Sequence, residues 1–246
     1  MRCLVISDIH SNLEAFEAVL SHAGPVDCTW CLGDLVGYGP DPNACVDLLR
    51  SRAHLCVAGN HDWAALGKLD LAEFNVDARL AAVWTQDNLT PENRAFLEAL
   101  PKELPGPAPE TFWLVHGSPC HPIWEYILDE RSAVAAFRCA DAAYCLHGHT
   151  HVPIVIRQAA QKGRERVTWA QPSGEPIALG PERMLINPGS VGQPRDGDNR
   201  ASYLILDADA LLIEHRRVEY PYQRTQSKML SRGLPPRLAT RLAFGL

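Results

Sequence analysis

Short apolar runs alternate with helical segments over residues 1–60. The run Cys3-Leu4-Val5-Ile6 is continuously apolar, as in a parallel strand that is buried on both faces. A helix is predicted next, because Ser11-Asn12-Leu13-Glu14 has the form of a capping box and is followed by helical apolar spacing. A strand over 28–32, a helix over about 42–50 and a strand over about 54–58 follow. This β-α-β-α-β order indicates a parallel sheet with helices packed on it.

The rest of the chain divides into a helical block and a series of shorter strands. Residues 63–100 have a helical pattern throughout, so we predict a helical insertion there. Strands resume at 112–115 and 144–146, and Gly- and Pro-interrupted candidates follow between 152 and 216, as in a meandering second sheet. The fold class is α/β, and we predict one domain over 1–246 that ends in a helical tail over about 220–246.

Charge and hydropathy limit the function classes. The 246 residues carry a formal net charge of −6, whereas a general nucleic-acid binder usually presents a basic face. No apolar run approaches the roughly 20 residues that span a bilayer, and the apolar stretch at the N-terminus is too short for a signal peptide. We therefore expect a cytoplasmic protein that does not act on membranes or on nucleic-acid polymers.

The C-terminal segment is basic although the chain as a whole is acidic. Between 218 and 246 a single acid, Glu219, stands against five basic side chains: Arg224, Lys228, Arg232, Arg237 and Arg241. We interpret them as the solvated face of a C-terminal helix. A phosphate-binding patch is the alternative.

The eight cysteines are scattered, and several lie in strand-like apolar runs. Unpaired cysteine acts there as a small buried hydrophobe, as is usual in a reducing compartment. Cys28 and Cys31 match C-x-x-C, but residues i and i+3 on a strand face opposite sides. We therefore expect no disulfide and no redox role for this pair.

Residues of metal-ligand type recur at the ends of the predicted strands. They are Asp8 and His10, Asp34, Asn60 and His61, His116, and His149 and His151. Because the carboxyl ends of parallel strands share one edge of a sheet, groups far apart in sequence are expected to converge there. In D-x-H and H-x-H, two side chains two apart in extended chain project to the same side.

The donor types indicate which metals such a site would bind. Carboxylate, amide oxygen and imidazole without thiolate suit Mn, Fe, Zn, Co or Ni, and Mn is favoured. Seven ligands are too many for one tetrahedral ion and about right for two, with the two oxygens of Asp34 as the natural bridge. Two such ions can activate a water and clamp a phosphoryl group.

Five motifs occur in a fixed order along the chain: D-I-H (8–10), G-D-L-V-G-Y-G (33–39), G-N-H-D (59–62), H-G-S-P (116–119) and G-H-T-H-V-P (148–153). Together they resemble the calcineurin-like metallophosphoesterase superfamily. The later N-P-G-S-V-G-Q-P-R-D (187–196) and the tail G-L-P-P-R-L-A-T-R-L (233–242) are similar to its small prokaryotic phosphodiesterase branch.

The resemblance implies a four-layer α/β/β/α sandwich and a division of the ligands between two ions. One ion would take Asp8, His10, Asp34 and His151, and the other Asp34, Asn60, His116 and His149. His61 matches the family's catalytic histidine, which contacts the phosphate and protonates the leaving oxygen. Asp62 matches the acid that orients this histidine.

Three further residues lie near these motifs. Asn12 most simply caps or leads the first helix, but it is two residues from His10 and is a candidate substrate contact. Arg195, in a Gly- and Pro-rich loop expected to approach the same edge, would suit a substrate phosphate. His147 precedes His149 by two residues, and we expect a supporting role rather than ligation.

The expected activity is hydrolysis of a phosphodiester by metal-bound hydroxide, with His61 as the acid. The expected substrate is a small phosphorylated molecule, and a nucleotide is one candidate. Phosphomonoesterase and nucleotide pyrophosphohydrolase activities are alternatives with the same metal core. A non-catalytic metal-binding scaffold and a nuclease are alternatives of other classes; the retained His61 and the acidic net charge argue against them.

Overall fold

The computed structural model describes residues 1–107, 111–161 and 164–246, with residues 159–161, 164 and 165 described as backbone alone. Twelve strands occur in these ranges. They are β1 (Arg2–Ile6), β2 (Cys28–Cys31), β3 (His54–Cys56), β4 (Glu103–Pro105), β5 (Phe112–Val115), β6 (Tyr144–Leu146), β7 (Ile154–Gln161), β8 (Arg164–Ala170), β9 (Ile177–Ala178), β10 (Met184–Asn187), β11 (Ala201–Asp207) and β12 (Leu212–Val218).

The strands form two six-stranded sheets. The first has the order β3-β2-β1-β11-β12-β9 and the second the order β4-β5-β6-β10-β7-β8. The predicted parallel β1, β2 and β3 are confirmed as neighbours at one side of the first sheet. In the second sheet β5, β6 and β10 are parallel, and β7 and β8 form a long antiparallel hairpin.

The expectation of a meandering second sheet was wrong for the last two strands. Strand β11 pairs antiparallel with the free side of β1, from Arg2 opposite Asp207 to Val5 opposite Leu204, and β12 follows it. Both therefore complete the first sheet. The reason is that β1 has β2 on one side only, so its other backbone edge needs a partner, which a local pattern cannot identify.

Helices cover the outer faces of both sheets. They are α1 (Leu13–Ala23), α2 (Pro42–Arg50), α3 (Asn60–Ala65), α4 (Val76–Asn88), α5 (Pro91–Ala99), α6 (Glu130–Cys139), α7 (Tyr222–Ser231) and α8 (Pro236–Arg241). The core between the sheets takes Val5 and Trp30 from the first and Leu114 and Ile186 from the second. The layers are therefore α/β/β/α, as the resemblance implied.

Three outer clusters account for the helices. Phe16 of α1 and Leu49 of α2 pack on the first sheet, and Phe137 of α6 packs on the second. The predicted helical block holds α3, α4, α5 and a 3-10 turn at Leu71–Glu73. The tail helices α7 and α8 pack with α4 in a separate cluster around Tyr38. The tail therefore lies beside the Gly-Tyr-Gly segment rather than apart from it.

The cysteines differ from the expectation at one pair. Cys120 and Cys139 form a disulfide, because the loop after β5 and the last residue of α6 bring their Cα atoms to 5.2 Å. The scatter of cysteines along the sequence gave no sign of this contact. Cys28 and Cys31 are free and belong to the cores on opposite faces of β2, as predicted.

Among the described helices, none is long and apolar enough to cross a membrane.

Candidate metal centre

The predicted ligands converge where strands of the two sheets end at a common edge. Asp8 and His10 follow β1, Asp34 follows β2, and Asn60 is the first residue of the helix after β3. His116 follows β5, and His149 and His151 follow β6. All seven side chains are buried. The site is thus built from both sheets, and it requires the sandwich to be closed.

The backbone is left-handed at five of these seven residues. The φ angles are 54° at Asp8, 49° at His10, 52° at Asp34, 68° at His149 and 60° at His151. Non-glycine residues rarely adopt this conformation, which costs of order 1 kcal/mol each and occurs mostly at functional sites. The D-x-H and H-x-H pairs therefore do not converge through the extended geometry that we expected. The turns that follow the strands aim the side chains inward.

The first group of ligand atoms comes from Asp8, His10, Asp34 and His151, and all four atoms lie within 4.8 Å of one another. Nε2 of His151 is 3.2 Å from Oδ1 of Asp8 and 3.1 Å from Nε2 of His10. Two imidazole lone pairs at that distance repel each other unless a proton or a cation lies between them. This group therefore has the geometry of a cation site.

The second group comes from Asp34, His116 and His149, whose ligand atoms also lie within 4.8 Å of one another. Nε2 of His116 is 3.1 Å from Nδ1 of His149 and 3.1 Å from Oδ1 of Asn60. The amide oxygen of Asn60 therefore faces the same small volume.

Asp34 belongs to both groups through a single oxygen. Its Oδ1 accepts a hydrogen bond of 2.8 Å from the backbone N–H of His61. Its Oδ2 is 3.7 Å from Nε2 of His10 and 3.3 Å from Nε2 of His116. We expected a bridge through two oxygens, but the chain itself uses one of them.

Backbone carbonyls fix the other ring nitrogen of each histidine. Nδ1 of His10, His116 and His151 faces the carbonyls of Val36 (3.3 Å), Leu32 (2.8 Å) and Gln193 (2.6 Å), and Nε2 of His149 faces that of Trp124 (3.1 Å). A carbonyl only accepts, so the proton lies on that nitrogen. The opposite nitrogen then presents its lone pair to the site, as in metal-bound histidines.

The carboxylates are charged and incompletely satisfied. Within the described ranges, Oδ1 of Asp8 and Oδ2 of Asp34 are buried without a hydrogen bond. Burial opposes ionisation of Asp34, but the neighbouring histidines, His116 first, outweigh it and lower its pKa. Burial lowers the pKa of His116 and the Asp34 carboxylate raises it more, to about 9. A cation would replace that proton, because a ligating nitrogen must be unprotonated. The donor set therefore fits divalent metal.

Comparison with known proteins agrees with this chemistry. Residues 1–211 match the model of the calcineurin-like phosphoesterase superfamily domain. The chain belongs to the calcineurin-like phosphoesterase superfamily. It is accordingly a metal-dependent phosphoric ester hydrolase, and it binds divalent metal.

Relatives of this phosphoesterase cover its whole length. The protein MJ0912 of Methanocaldococcus jannaschii is 40% identical, over 98% of this chain and 97% of its own. The crystal structure of a metallophosphoesterase from Sphaerobacter thermophilus is 48% identical with a TM-score of 0.90, over 100% of this chain and 99% of that one. The structure of PH1004 from Pyrococcus horikoshii shares the fold with a TM-score of 0.78 at 20% identity, over 100% and 98% of the two chains.

His61 lies beside both ligand groups of the phosphoesterase on the first turn of α3. Its ring is 5.0 Å from that of His10 and 4.2 Å from that of Tyr38. Burial lowers the pKa of His61 to about 4, and the Asp34 carboxylate opposes the shift. Its Nδ1 has no hydrogen bond to any described residue. His61 therefore keeps a ring nitrogen that no described residue hydrogen-bonds, and the buried Nε2 of His147 is another.

Asp62 makes no hydrogen bond to the His61 imidazole that the resemblance assigns to it. Its Oδ2 accepts from the backbone N–H of Gly59 at 2.9 Å, and its Oδ1 accepts from that of Val36 at 3.0 Å. Burial first, and then the Asp34 carboxylate, raise the pKa of Asp62 to about 7. Asp62 thus joins the β2 turn to the start of α3, and it positions His61 through the backbone.

The side chains of Asn12 and His147 are buried and lie against other parts of the chain. Asn12 caps α1 by accepting from the backbone N–H of Ala15, and its amide donates to the Gly192 carbonyl at 2.9 Å. Both polar groups of the Asn12 amide are therefore bonded within the chain, and its role as a substrate contact stays a prediction. His147 is buried beside Asn187 and lies outside both ligand groups.

The loop 187–196 crosses the metal centre, as expected. The backbone N–H of Val191 and of Gly192 bond to the carbonyls of Ser7 and Asp8, at 3.0 and 2.9 Å. A Cβ at Gly192 would collide with the Ile9 carbonyl, so only glycine permits this approach. The loop places Arg195 over Tyr38, and the Cζ atom of Arg195 is 5.9 Å from the centroid of the tyrosine ring.

Residue patterns missed the aromatic and basic surroundings of the site. Tyr126 stacks on the His149 ring at 3.7 Å, but no strand end or motif marks it. The tail is a solvated face at Arg224, Arg232 and Arg237, which are exposed as expected, whereas Lys228 and Arg241 are half-buried. Lys228 pairs with Glu14 and Asp41, Arg232 pairs with Asp41, and Arg237 and Arg241 line a pocket with Arg195. Helical periodicity alone could not show which other element faces these residues.

Proposed function

We propose that this phosphoesterase is a phosphodiesterase that works with two divalent metal ions, and that Mn²⁺ is the favoured metal. The observation that carries the proposal is the shared Oδ2 of Asp34, which faces His10 of one ligand group and His116 of the other. One ion would be held by Asp8, His10, Asp34 and His151. The other would be held by Asp34, Asn60, His116 and His149.

Bound there, the ions would supply an activated water and neutralise the charge of the phosphate. The chain's own residues would do the rest. Arg195, whose guanidinium lies over Tyr38, would bind a phosphate oxygen and orient the ester. A phosphate anion beside His61 would favour its protonated form, and the imidazolium would give that proton to the leaving oxygen, which otherwise departs as an alkoxide. Asp62 would hold His61 in place through the turn that it caps.

A small diester is proposed over a monoester or a pyrophosphate on the basis of the loop 187–196. The motif of this loop resembles the phosphodiesterase branch, as the tail 233–242 does, and the loop also brings Arg195 towards the metal centre. A nucleotide is the proposed kind of substrate, because tyrosine rings and guanidinium groups line the adjoining pocket.

The test uses protein stripped of metal and reloaded with Mn²⁺, Fe²⁺, Zn²⁺, Ni²⁺ or Co²⁺. Bis-p-nitrophenyl phosphate should be hydrolysed faster than p-nitrophenyl phosphate. A higher kcat/KM for the monoester would contradict the diester assignment. Absence of metal-dependent turnover with any ester would point to a scaffold instead.

The role of His61 is tested by the leaving group. His61→Gln should reduce kcat by about 10²–10⁴-fold for a phenyl ester, which needs a proton on departure. The loss should be smaller for p-nitrophenolate, which departs without one. His54→Gln, which makes the same substitution at the start of β3, is the matched control. An equal loss for both leaving groups, at unchanged metal content, would rule out proton donation.

A further inference from the structure

A pocket of about 690 Å³ opens beside the metal centre, between the loop 187–196 and the C-terminal tail. Three guanidinium groups line it, from Arg195 of the loop and from Arg237 and Arg241 of α8. Tyr38 and Tyr126 form part of its wall. Five separate parts of the chain therefore build one basic cavity.

The cations of this pocket exceed its anions. Asp77 is the one carboxylate side chain among the lining residues. The Nε of Arg195 is buried and makes no hydrogen bond within the described ranges, while its Nη2 donates to Oε1 of Gln193 at 2.9 Å. Arg241 donates from Nε to the Leu246 oxygen. Burial first, and then the charge of Arg195, lower the pKa of Arg241 to about 10. These guanidinium groups repel one another, so an anion placed among them would be stabilised.

Tyr38 joins the pocket to the metal centre. Its ring centroid is 4.7 Å from that of His10 and 4.2 Å from that of His61, and its hydroxyl is 3.5 Å from Nη2 of Arg195. Tyr38 therefore belongs both to the wall of the pocket and to the immediate surroundings of the metal centre.

We propose that this pocket binds a second phosphate group of the substrate, one that is not cleaved. The inference rests on the proposed function, because it takes the scissile phosphate to lie at the metal centre. The substrate class would be a nucleotide or similar molecule with two separated phosphates. Guanidinium favours phosphate because its planar N–H groups match two oxygens at once. A phosphate dianion would balance the charges of Arg237 and Arg241, since Arg195 is assigned to the scissile phosphate.

The probes are thymidine 5′-monophosphate and thymidine 3′,5′-bisphosphate, which differ by one phosphate. Their affinities for the metal-loaded protein are measured by calorimetry at fixed ionic strength. The bisphosphate should bind at least about tenfold more tightly, as one charge-assisted hydrogen-bonded contact implies. Arg237→Gln and Arg241→Gln should each reduce this ratio, and the double variant should bring it close to one.

Arg224→Gln is the matched control, because Arg224 is exposed on α7 and does not line the pocket. It should keep the ratio of the unaltered protein. Equal affinity for the two probes, or a preference that survives the double variant, would overturn the proposal. Inorganic phosphate added to the monophosphate titration tests a free ion as the occupant, and tighter binding in its presence would also overturn it.

Turnover of bis-p-nitrophenyl phosphate is followed in parallel. Loss of the binding preference with retained turnover would remove this inference and leave the proposed function standing. A binding preference without turnover would remove the proposed function and leave a phosphate-binding pocket without an assigned substrate.

Discussion

Oδ2 of Asp34 lies 3.3 Å from Nε2 of His116, although Asp34 follows a strand of the first sheet and His116 follows a strand of the second. Neither sheet alone holds a complete ligand group, because Asp34 and His116 share one group and Asp8 and His151 share the other. The metal centre can therefore form only when the two sheets pack against each other.

The first prediction concerns this shared carboxylate. Asp34→Asn removes the charge that faces both groups, so metal content should fall below one ion per chain and turnover should fall by at least about 10²-fold. Elemental analysis after gel filtration measures the first effect. Asp47→Asn, on an exposed position of α2, should change neither. Retention of two ions by Asp34→Asn would refute the bridging role.

The second prediction concerns Asp62. Asp62→Asn keeps the shape of the side chain, but it turns one acceptor into a donor that faces a buried backbone N–H of Gly59 or Val36. Leaving that donor unsatisfied should lower the free energy of unfolding by about 1–3 kcal/mol. Urea denaturation of metal-free protein measures it.

Asp129→Asn serves as the control for Asp62→Asn. Asp129 caps α6 at the surface, where Asn caps as well as Asp, so the change should be within a few tenths of a kcal/mol. Similar losses in the two variants would mean that Asp62 is an ordinary cap.

The third prediction concerns the attachment of the tail. Nζ of Lys228 on α7 is 2.6 Å from Glu14 and 2.8 Å from Asp41, and both carboxylates are largely buried. Lys228→Gln leaves them without that cation, which should destabilise the protein by about 1–3 kcal/mol. Hydrogen exchange should rise over α7 and α8. Unchanged exchange in Lys228→Gln, or an equal rise in Arg224→Gln, would show that the tail is held by other contacts.

The fourth prediction concerns acid stability. Nε2–H of His215 donates to the Ser202 hydroxyl at 2.8 Å, and burial lowers the pKa of His215 from 6.5 to about 4. As the pH falls, the neutral His215 imidazole therefore takes up its second proton at a higher pH in the unfolded chain than in the folded chain. The contribution of neutral, buried His215 to the free energy of unfolding is complete above pH 6.5 and is lost as the pH falls towards 4.

His215→Gln keeps a donor for Ser202 and removes the titration. The unfolding free energy of the variant should depend on pH less steeply between 4 and 6.5, by up to about 1.4 kcal/mol per pH unit. Urea denaturation at several pH values measures this slope. Parallel curves for the two proteins would exclude His215 from the acid response.

Local patterns were sufficient for the first half of the fold. Strands β1, β2 and β3 and helices α1 and α2 were predicted because apolar periodicity and caps are encoded within ten or so neighbouring residues. The ligand positions could be predicted for a related reason, since residues such as Asp8 and Asp34 come directly after strands whose ends share an edge.

Long-range contacts could not be predicted in this way. The pairing of β11 with β1, the Cys120–Cys139 disulfide and the stacking of Tyr126 on His149 join segments whose spacing carries no signal. Arg237 and Arg241 show the same difficulty. The sequence shows that their helix has a basic face, but it does not show what that face contacts. The packing of α8 near Tyr38 places the face at a pocket.

The two-ion centre is tested most directly by titrating metal-free protein with Mn²⁺ while following hydrolysis of bis-p-nitrophenyl phosphate, with elemental analysis at each point. Turnover should be absent without metal and should reach its plateau at two bound ions per chain, in accord with the two ligand groups that share Asp34. A plateau at one ion, or full turnover in the metal-free protein, would contradict the account.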